Sequence, residues 1–277
     1  MALRLLVADS AAEQEAARDV ETRVFLEAFD NTPEVMEREY GPYADRSAFV
    51  TVIDDRDGTA VGVARLVLPD STGEVKTLTD VAGEPWRLSV PDSLRTAGLA
   101  GRPIVDVATL AVDPRYRRGA AGAEITLALC HGLYRWSLGH GAEGLVTVLD
   151  DRVLRLLRVI SVPMTAMPGA TSQYYLGSPA STPCVCVLAG VPEYIWAHRP
   201  DLAPALLDGT FRSIALDPTD LLPHRGGPLA GTVPSHRQVR PLLAPANRPG
   251  YRPPAHRRSR VIEAPAAPAG LTIGTTD

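Results

Sequence analysis

Two features of residues 104–122, IVDVATLAVDPRYRRGAAG, could do chemistry. The first is Asp106, a carboxylate inside an otherwise apolar run. Such a group is costly to bury unless it is hydrogen-bonded or borders a cavity. It could act as a general base, directly or through a water, or it could be a structural partner for Arg23 or Arg65. The second is the turn that follows, where Arg117 and Arg118 precede the small residues Gly119, Ala120, Ala121 and Gly122 at a helix start. Free N–H groups there, together with the helix dipole, attract an anion, and small residues let a phosphate approach the backbone. A capped helix with two solvated arginines would read the same way.

Other candidates carry less. Gly139-His140-Gly141-Ala142-Glu143-Gly144 has the spacing of a dinucleotide fingerprint. It leaves a helix and enters a strand, however, the reverse of that fingerprint, so it reads as a helix C-cap and turn. Cys184 and Cys186 share one face of a strand without nearby histidines and read as packed thiols. With Cys130 they give neither a disulfide framework nor a zinc spacing, and no metal is expected. His131 and His140 have no spaced carboxylate partner, and no Gly-x-Ser-x-Gly elbow is present. Arg152, Arg155 and Arg158 recur at three-residue spacing, which fits a solvated helix face or a surface for an acidic partner.

These residues need elements to position them. Residues 3–8 can form a first strand, and Asp9 or Ser10 caps a helix over 11–29 with Ala17, Val20, Val24, Phe25 and Ala28 on one stripe. A second helix starts at Thr32-Pro33-Glu34. Residues 48–53 and 60–68 read as a hairpin about the acidic turn at 54–58. Residues 70–102 read as a long irregular stretch, of the kind that forms a lid or pocket wall. A strand over 104–112, a helix over 121–138 with Ile125, Leu129, Leu133 and Trp136 inward, a strand over 144–149, a helix to about 160 and a strand over 183–189 complete the pattern. That order predicts a mixed α/β sheet rather than a doubly wound nucleotide fold.

Composition bounds the rest. The chain has 277 residues, 45% hydrophobic and 22% charged, which excludes a wholly disordered or fibrous protein. No apolar run is long enough for a membrane span, and MALRLLVADS does not read as a secretion signal, so a cytoplasmic location is expected. The net charge of −4 divides unevenly: residues 1–220 carry −10, while residues 221–262 hold eight arginines and no acid. Lysine occurs once, at Lys76; the preference for arginine is explained as well by genome composition as by phosphate chemistry. Ten of the 25 prolines fall in 221–277. The reading is one domain over 1–195, a partly helical extension over 196–220 and a Pro/Arg-rich tail over 221–277. That tail could be solvated, fold back on the acidic body or meet an anionic partner.

The 104–122 stretch resembles motif A of the GNAT acyltransferase superfamily, in which a strand ending LAV-P precedes an Arg/Gln-x-x-Gly-x-Gly/Ala loop. Arg117 matches the first loop position and Gly122 the last, while Ala120 stands where the middle glycine is usual. Three further segments are similar to the acyl-homoserine-lactone (autoinducer) synthases and the related N-acyl amino acid synthases. Glu21 to Glu27 (ETRVFLE) resembles their Arg-x-Val-Phe-x-Glu, Gly62 to Leu66 their Gly-x-x-Arg-Leu, and Val105 to Val112 their Glu-x-Ser-Arg-Phe-x-Val strand. Asp106 replaces the Glu of that strand and Thr109 its Arg, and the early Trp is missing, which points to a relative with a different acceptor.

The resemblance implies a GNAT-like fold and an N-acyltransferase that uses no tightly bound cofactor. An acyl-CoA or acyl-phosphopantetheine would be co-substrate, and a small metabolite or amino acid would supply the amine. Asp106 would be the base, and Tyr174 or Tyr175 the acid that protonates the leaving thiolate, although for either ring alone ordinary packing is the preferred reading. Leu110, Ala111, Val112, Arg117, Arg118, Gly119, Ala120 and Gly122 would bind the donor. Arg23, Phe25, Glu27, Arg65 and Trp86 would line the substrate pocket, and residues 163–182 would help shape it. An acyl carrier protein is a possible partner; DNA and membrane are not expected. The alternatives are an aminoacyl-tRNA donor, which the basic tail would favour, and a non-catalytic GNAT-like binding module.

Overall fold

Apolar runs in the N-terminal half pair as antiparallel neighbours. In the computed structural model, which describes residues 3–221, β1 (Leu3–Val7), β2 (Ser47–Asp54), β3 (Thr59–Val67) and β4 (Ile104–Val112) lie side by side. The predicted hairpin closes between β2 and β3, where Gly58 adopts φ 72° and its N–H donates to the Asp54 carbonyl at 2.9 Å. β5 (Gly144–Asp150) runs parallel to β4, and β8 (Ser178–Val187) antiparallel to β5. Two short strands, β6 (Thr165–Ala166) and β7 (Gln173–Tyr175), add to β8, and β9 (Ile214–Leu216) lies parallel to β1. The sheet order is β6-β8-β5-β4-β3-β2-β1-β9, so the expected mixed α/β sheet is what forms.

Helices cover both faces, which is why β2 and β3 are buried almost end to end. α1 (Ala11–Phe29) begins at a Ser10–Glu13 capping box and buries Ala17, Val20 and Val24 against Leu6, Phe49, Val63 and Ala111. α2 (Pro33–Tyr40) follows the Thr32 cap. On the opposite face, α5 (Gly119–Gly139) packs Ile125, Leu129, Leu133 and Trp136 against Leu5, Val50, Val52 and Val61. α6 (Asp151–Val159), α7 (Val191–His198) and α8 (Ala203–Asp208) follow later in the chain.

The 70–102 stretch is not irregular. It holds α3 (Lys76–Ala82) and α4 (Val90–Thr96), seven residues each, whose start residues Val75 and Ser89 make no side-chain cap bond. Helices so short and uncapped leave little periodic signal. Their apolar residues Val75, Leu78, Val81 and Leu99 pack on Ile104, Val146 and Val185. The closing strand begins at Ser178 rather than 183, because β7 gives the polar SPAST segment a pairing partner. Among the described residues no helix is long and apolar enough to cross a membrane. The Pro/Arg-rich segment expected beyond residue 221 lies outside the described residues.

One irregularity positions everything that follows. β4 and β5 pair only over Ile104–Asp106 with Gly144–Val146, although β4 continues to Val112 and β5 to Asp150. On its other edge β4 shifts register against β3: Arg65 faces Thr109 but Leu66 faces Val107, which leaves Ala108 as an extra residue. A bulge of this kind bends the strand that carries it. The two central strands therefore part at the bulge, and a fork opens between them.

Candidate active site

The fork holds a cavity of about 80 Å³. Ala108, Thr109 and Leu110 form its β4 wall, and Thr147, Val148 and Leu149 its β5 wall. Tyr40 of α2, Lys76, Thr77 and Asp80 of α3, and Tyr175 of β7 close it from the side of α1, whose Phe25 and Phe29 complete the rim. A wider cavity of about 370 Å³ lies between the end of α1, the end of β4 and the start of α5. A third, of about 60 Å³, lies on the α5 side of the sheet and is walled almost wholly by apolar groups, among them Cys130, Leu133, Leu157, Met164 and Cys186. Leu110 borders all three cavities, and Thr147 and Leu149 border both the fork and the apolar one.

Asp106 sits beneath this junction, 0% exposed. Thr77 donates to both its oxygens, from its N–H at 2.6 Å and from its hydroxyl at 2.8 Å. Burial lifts the carboxyl from the ordinary 3.8 to about 7, against the lowering effect of those two bonds. Neither Arg23 nor Arg65 is its partner. Arg23 pairs with Asp113 at 2.7 Å and ties α1 to the end of β4. Arg65 pairs with Glu21 of α1 through Nε at 3.0 Å and Nη2 at 2.5 Å, and its guanidinium lies between the rings of Tyr40 and Phe49. The Thr109 hydroxyl donates to the same Glu21. Arg65 is thus a buried strut under Tyr40, not a cavity wall.

The two tyrosines go to opposite sides, as successive strand residues must. Tyr174 is 66% exposed. Tyr175 faces the fork, where its hydroxyl donates to Asp80 and accepts from Lys76 Nζ at 3.2 Å. Burial and the adjacent Asp80 push its pKa well above the ordinary phenol value, so it keeps its proton. Trp86 supports it from behind: its ring lies 5.2 Å from that of Tyr175 and its indole N–H donates to the Thr171 carbonyl at 2.7 Å. Lys76 Nζ donates in addition to Asp80 at 2.6 Å and Glu39 at 3.2 Å. Burial works to lower its pKa, but the two carboxylates prevail and hold it above the ordinary ammonium value.

Of the expected donor-binding residues, Leu110, Ala111, Val112, Arg117 and Gly122 line the wider cavity. Arg117 Nε donates to the Val112 carbonyl at 2.8 Å. Gly122 has to be glycine, since a Cβ would lie 2.7 Å from the Arg117 carbonyl carbon and closer still to the Tyr116 carbonyl oxygen. Gly119 adopts φ 73°, the left-handed region that glycine tolerates best. Arg118, Gly119 and Ala120 stand exposed at the head of α5, whose start carries no side-chain cap. Phe25 lines both the fork and the wider cavity; Glu27 is exposed and lines neither. Sequence reasoning missed Thr77, Asp80, Tyr40 and Phe29. The solitary lysine was the available signal, and composition bias masked it.

No protein family model matches the chain, and no curated protein matches it in sequence. Solved structures do match in shape. FeeM, an N-acyl amino acid synthase from uncultured soil microbes, superposes with a TM-score of 0.55 at 10% identity, covering 70% of this chain and 95% of that one. The chain has the GNAT fold. A CoA-dependent acyl-homoserine lactone synthase, BjaI, solved with SAM and isopentyl-CoA, matches at 15% identity and a TM-score of 0.45 over 82% of this chain and 97% of its own. Gly122, in the first turn of α5, lines the wider cavity, which shares Phe25, Phe29, Leu110, Asp150 and Val153 with the fork.

Proposed function

We propose that this protein is an N-acyltransferase that moves an acyl group from a thioester, acyl-CoA or an acylated carrier protein, to the amine of a small metabolite or amino acid. The observation that carries this reading is Leu110, one residue that borders three cavities of different chemistry. The wider cavity leads to the uncapped start of α5 and to Arg117, which suits the phosphates and pantetheine arm of a donor. The apolar cavity suits an acyl chain. The fork, with its mixed polar walls, suits an amine.

The chemistry follows from what surrounds the fork. Beyond Asp106 the edge of β4 facing β5 has no strand partner among the described residues, so its main-chain N–H groups can hold a thioester carbonyl and the oxyanion it becomes. The amine nitrogen attacks the carbonyl carbon, the C–N bond forms and the C–S bond breaks. An ammonium ion sheds one proton before it attacks and a second as the amide forms. Thr77 passes the first through its hydroxyl to Asp106, which returns it by the same hydroxyl; the second ends on the leaving sulfur, toward which Tyr175 turns the hydroxyl hydrogen it otherwise gives to Asp80. Arg152 lines the wider cavity, and Arg155 and Arg158 lie exposed on the same helix, charges that fit nucleotide phosphates or an acidic carrier.

The test is incubation of the full chain with acyl-CoA and acyl-carrier donors and an amine panel, with amide and free thiol followed by mass spectrometry. Amide formation that survives ribonuclease treatment is expected. No thiol release with any donor, together with no thermal protection by pantetheine compounds, would overturn the reading.

A further inference from the structure

The lysine found once in this chain is 4% exposed and faces the fork. Its ammonium is held as a ligand would be, by carboxylates on one side and aromatic rings on the other. The partners are Asp80 and Glu39, with the ring centroids of Tyr40 and Tyr175 at 5.4 and 5.8 Å. All three of its N–H donors are used, on Asp80, Glu39 and the Tyr175 hydroxyl. Asp80 is only half used. Its Oδ2 accepts from both Lys76 and Tyr175, while Oδ1 takes no hydrogen bond among the described residues.

We propose, resting on the acyl-transfer reading above, that the acceptor is a compact primary amine without a carboxylate beside its amino group, taken up as an ammonium ion by Asp80 Oδ1 among the rings of Tyr40, Tyr175 and Phe25. Two arguments support this choice. The positive side chain lining the fork is Lys76, and it has no donor left for a substrate carboxylate. A carboxylate brought there would be buried beside Asp80 and Glu39 with no cationic side chain among the described residues left to pair it, which is strongly unfavourable. The fork cavity, about 80 Å³ against about 370 Å³ for the wider one, also favours a compact acceptor.

The experiment compares amines with the amino acids from which decarboxylation would derive them: n-butylamine against norvaline, and isoamylamine against leucine. The full chain and a donor shown to turn over are used throughout. Each amine is expected to exceed its amino acid in kcat/KM by about 100-fold or more, the scale on which an unpaired buried polar group is rejected. Norvaline methyl ester, larger but without the charge, is expected within about tenfold of n-butylamine. Asp80→Asn is expected to raise the amine KM about tenfold or more with little change in the donor KM.

Amino acids that react as well as the amines would overturn the proposal and leave the acyl-transfer reading standing. So would an ester rejected as strongly as norvaline, which would make size and not charge the filter. Absence of turnover with every acceptor and donor would overturn both. The substrate pairs need no variant, so the outcome does not depend on Asp80→Asn folding.

Discussion

Thr77 grips both carboxylate oxygens of Asp106, with its N–H 2.6 Å from Oδ2 and its hydroxyl 2.8 Å from Oδ1, and it is Thr77, not Asp106, that lines the fork. The carboxylate therefore meets a substrate through one hydroxyl. That arrangement separates what Asp106 does for catalysis from what it costs the fold.

Asp106→Asn should lower kcat by about 100-fold or more, the range for loss of a general base. The stability effect runs the other way. Burial raises the folded-state pKa from 3.8 to about 7, so between those values the folded chain binds more protons than the unfolded one. Stability contributed by this group consequently falls as pH rises through that window and stays low above it. Removing the charge abolishes that cost. Melting curves at pH 8 should show the variant at least as stable as the parent; a marked loss of Tm would mean that the carboxylate is a structural strut.

Thr77→Val keeps the backbone bond to Asp106 and removes the hydroxyl. A carboxylate that loses a hydrogen bond is harder to ionise. The ascending limb of the pH–rate profile, expected near 7 in the parent, should therefore move to higher pH while kcat falls by about tenfold or more. Thr77→Ser should restore both. An unmoved limb in Thr77→Val would remove Thr77 from the proton path.

Much of this framework is legible in the residues. The apolar 104–112 run, the small-residue turn at 119–122 and the Ile125–Trp136 stripe are local patterns, and each element forms where its pattern lies. Asp106 stands out because a lone carboxylate in an apolar strand demands a partner. The partner itself was hidden: Thr77 lies 29 residues away on a seven-residue helix with no cap signal. The ion pairs were hidden for the same reason. Arg65 could have served Asp106 or Glu21 by composition alone, and only the bulge at Ala108, which turns Thr109 toward Glu21, decides between them.

The Arg65–Glu21 pair gives a stability prediction. Both side chains are buried, and Thr109 adds a third bond to the carboxylate. Glu21→Ala would leave the guanidinium uncompensated between Tyr40 and Phe49 and should cost roughly 3–5 kcal/mol in denaturant titrations. A loss below about 1 kcal/mol would mean that Arg65 reaches solvent.

Gly122→Ala addresses the donor turn. The added methyl would press on the carbonyls of Tyr116 and Arg117, which are backbone groups and cannot swing away. The loop must shift, at a cost of about 1–3 kcal/mol. Because Arg117 and Gly122 both line the wider cavity, the KM for the thioester should rise about tenfold while the KM for the amine stays near its parent value. A rise in the amine KM alone would place the donor elsewhere.

The apolar cavity offers the sharpest control over donor choice. Cys186 lies on its wall, and burial pushes that thiol up to about 12, so the side chain acts there as a small hydrophobe and not as a nucleophile. Leucine in its place adds roughly two methylene-sized groups to a space of about 60 Å³. If the acyl chain enters from the fork past Thr147 and Leu149, Cys186→Leu should lower kcat/KM for medium and long acyl donors by about tenfold or more while leaving an acetyl donor nearly unchanged. The contrast between donors is what matters, since a general packing defect would slow all of them together. Equal losses across chain lengths would show that the chain lies outside this cavity.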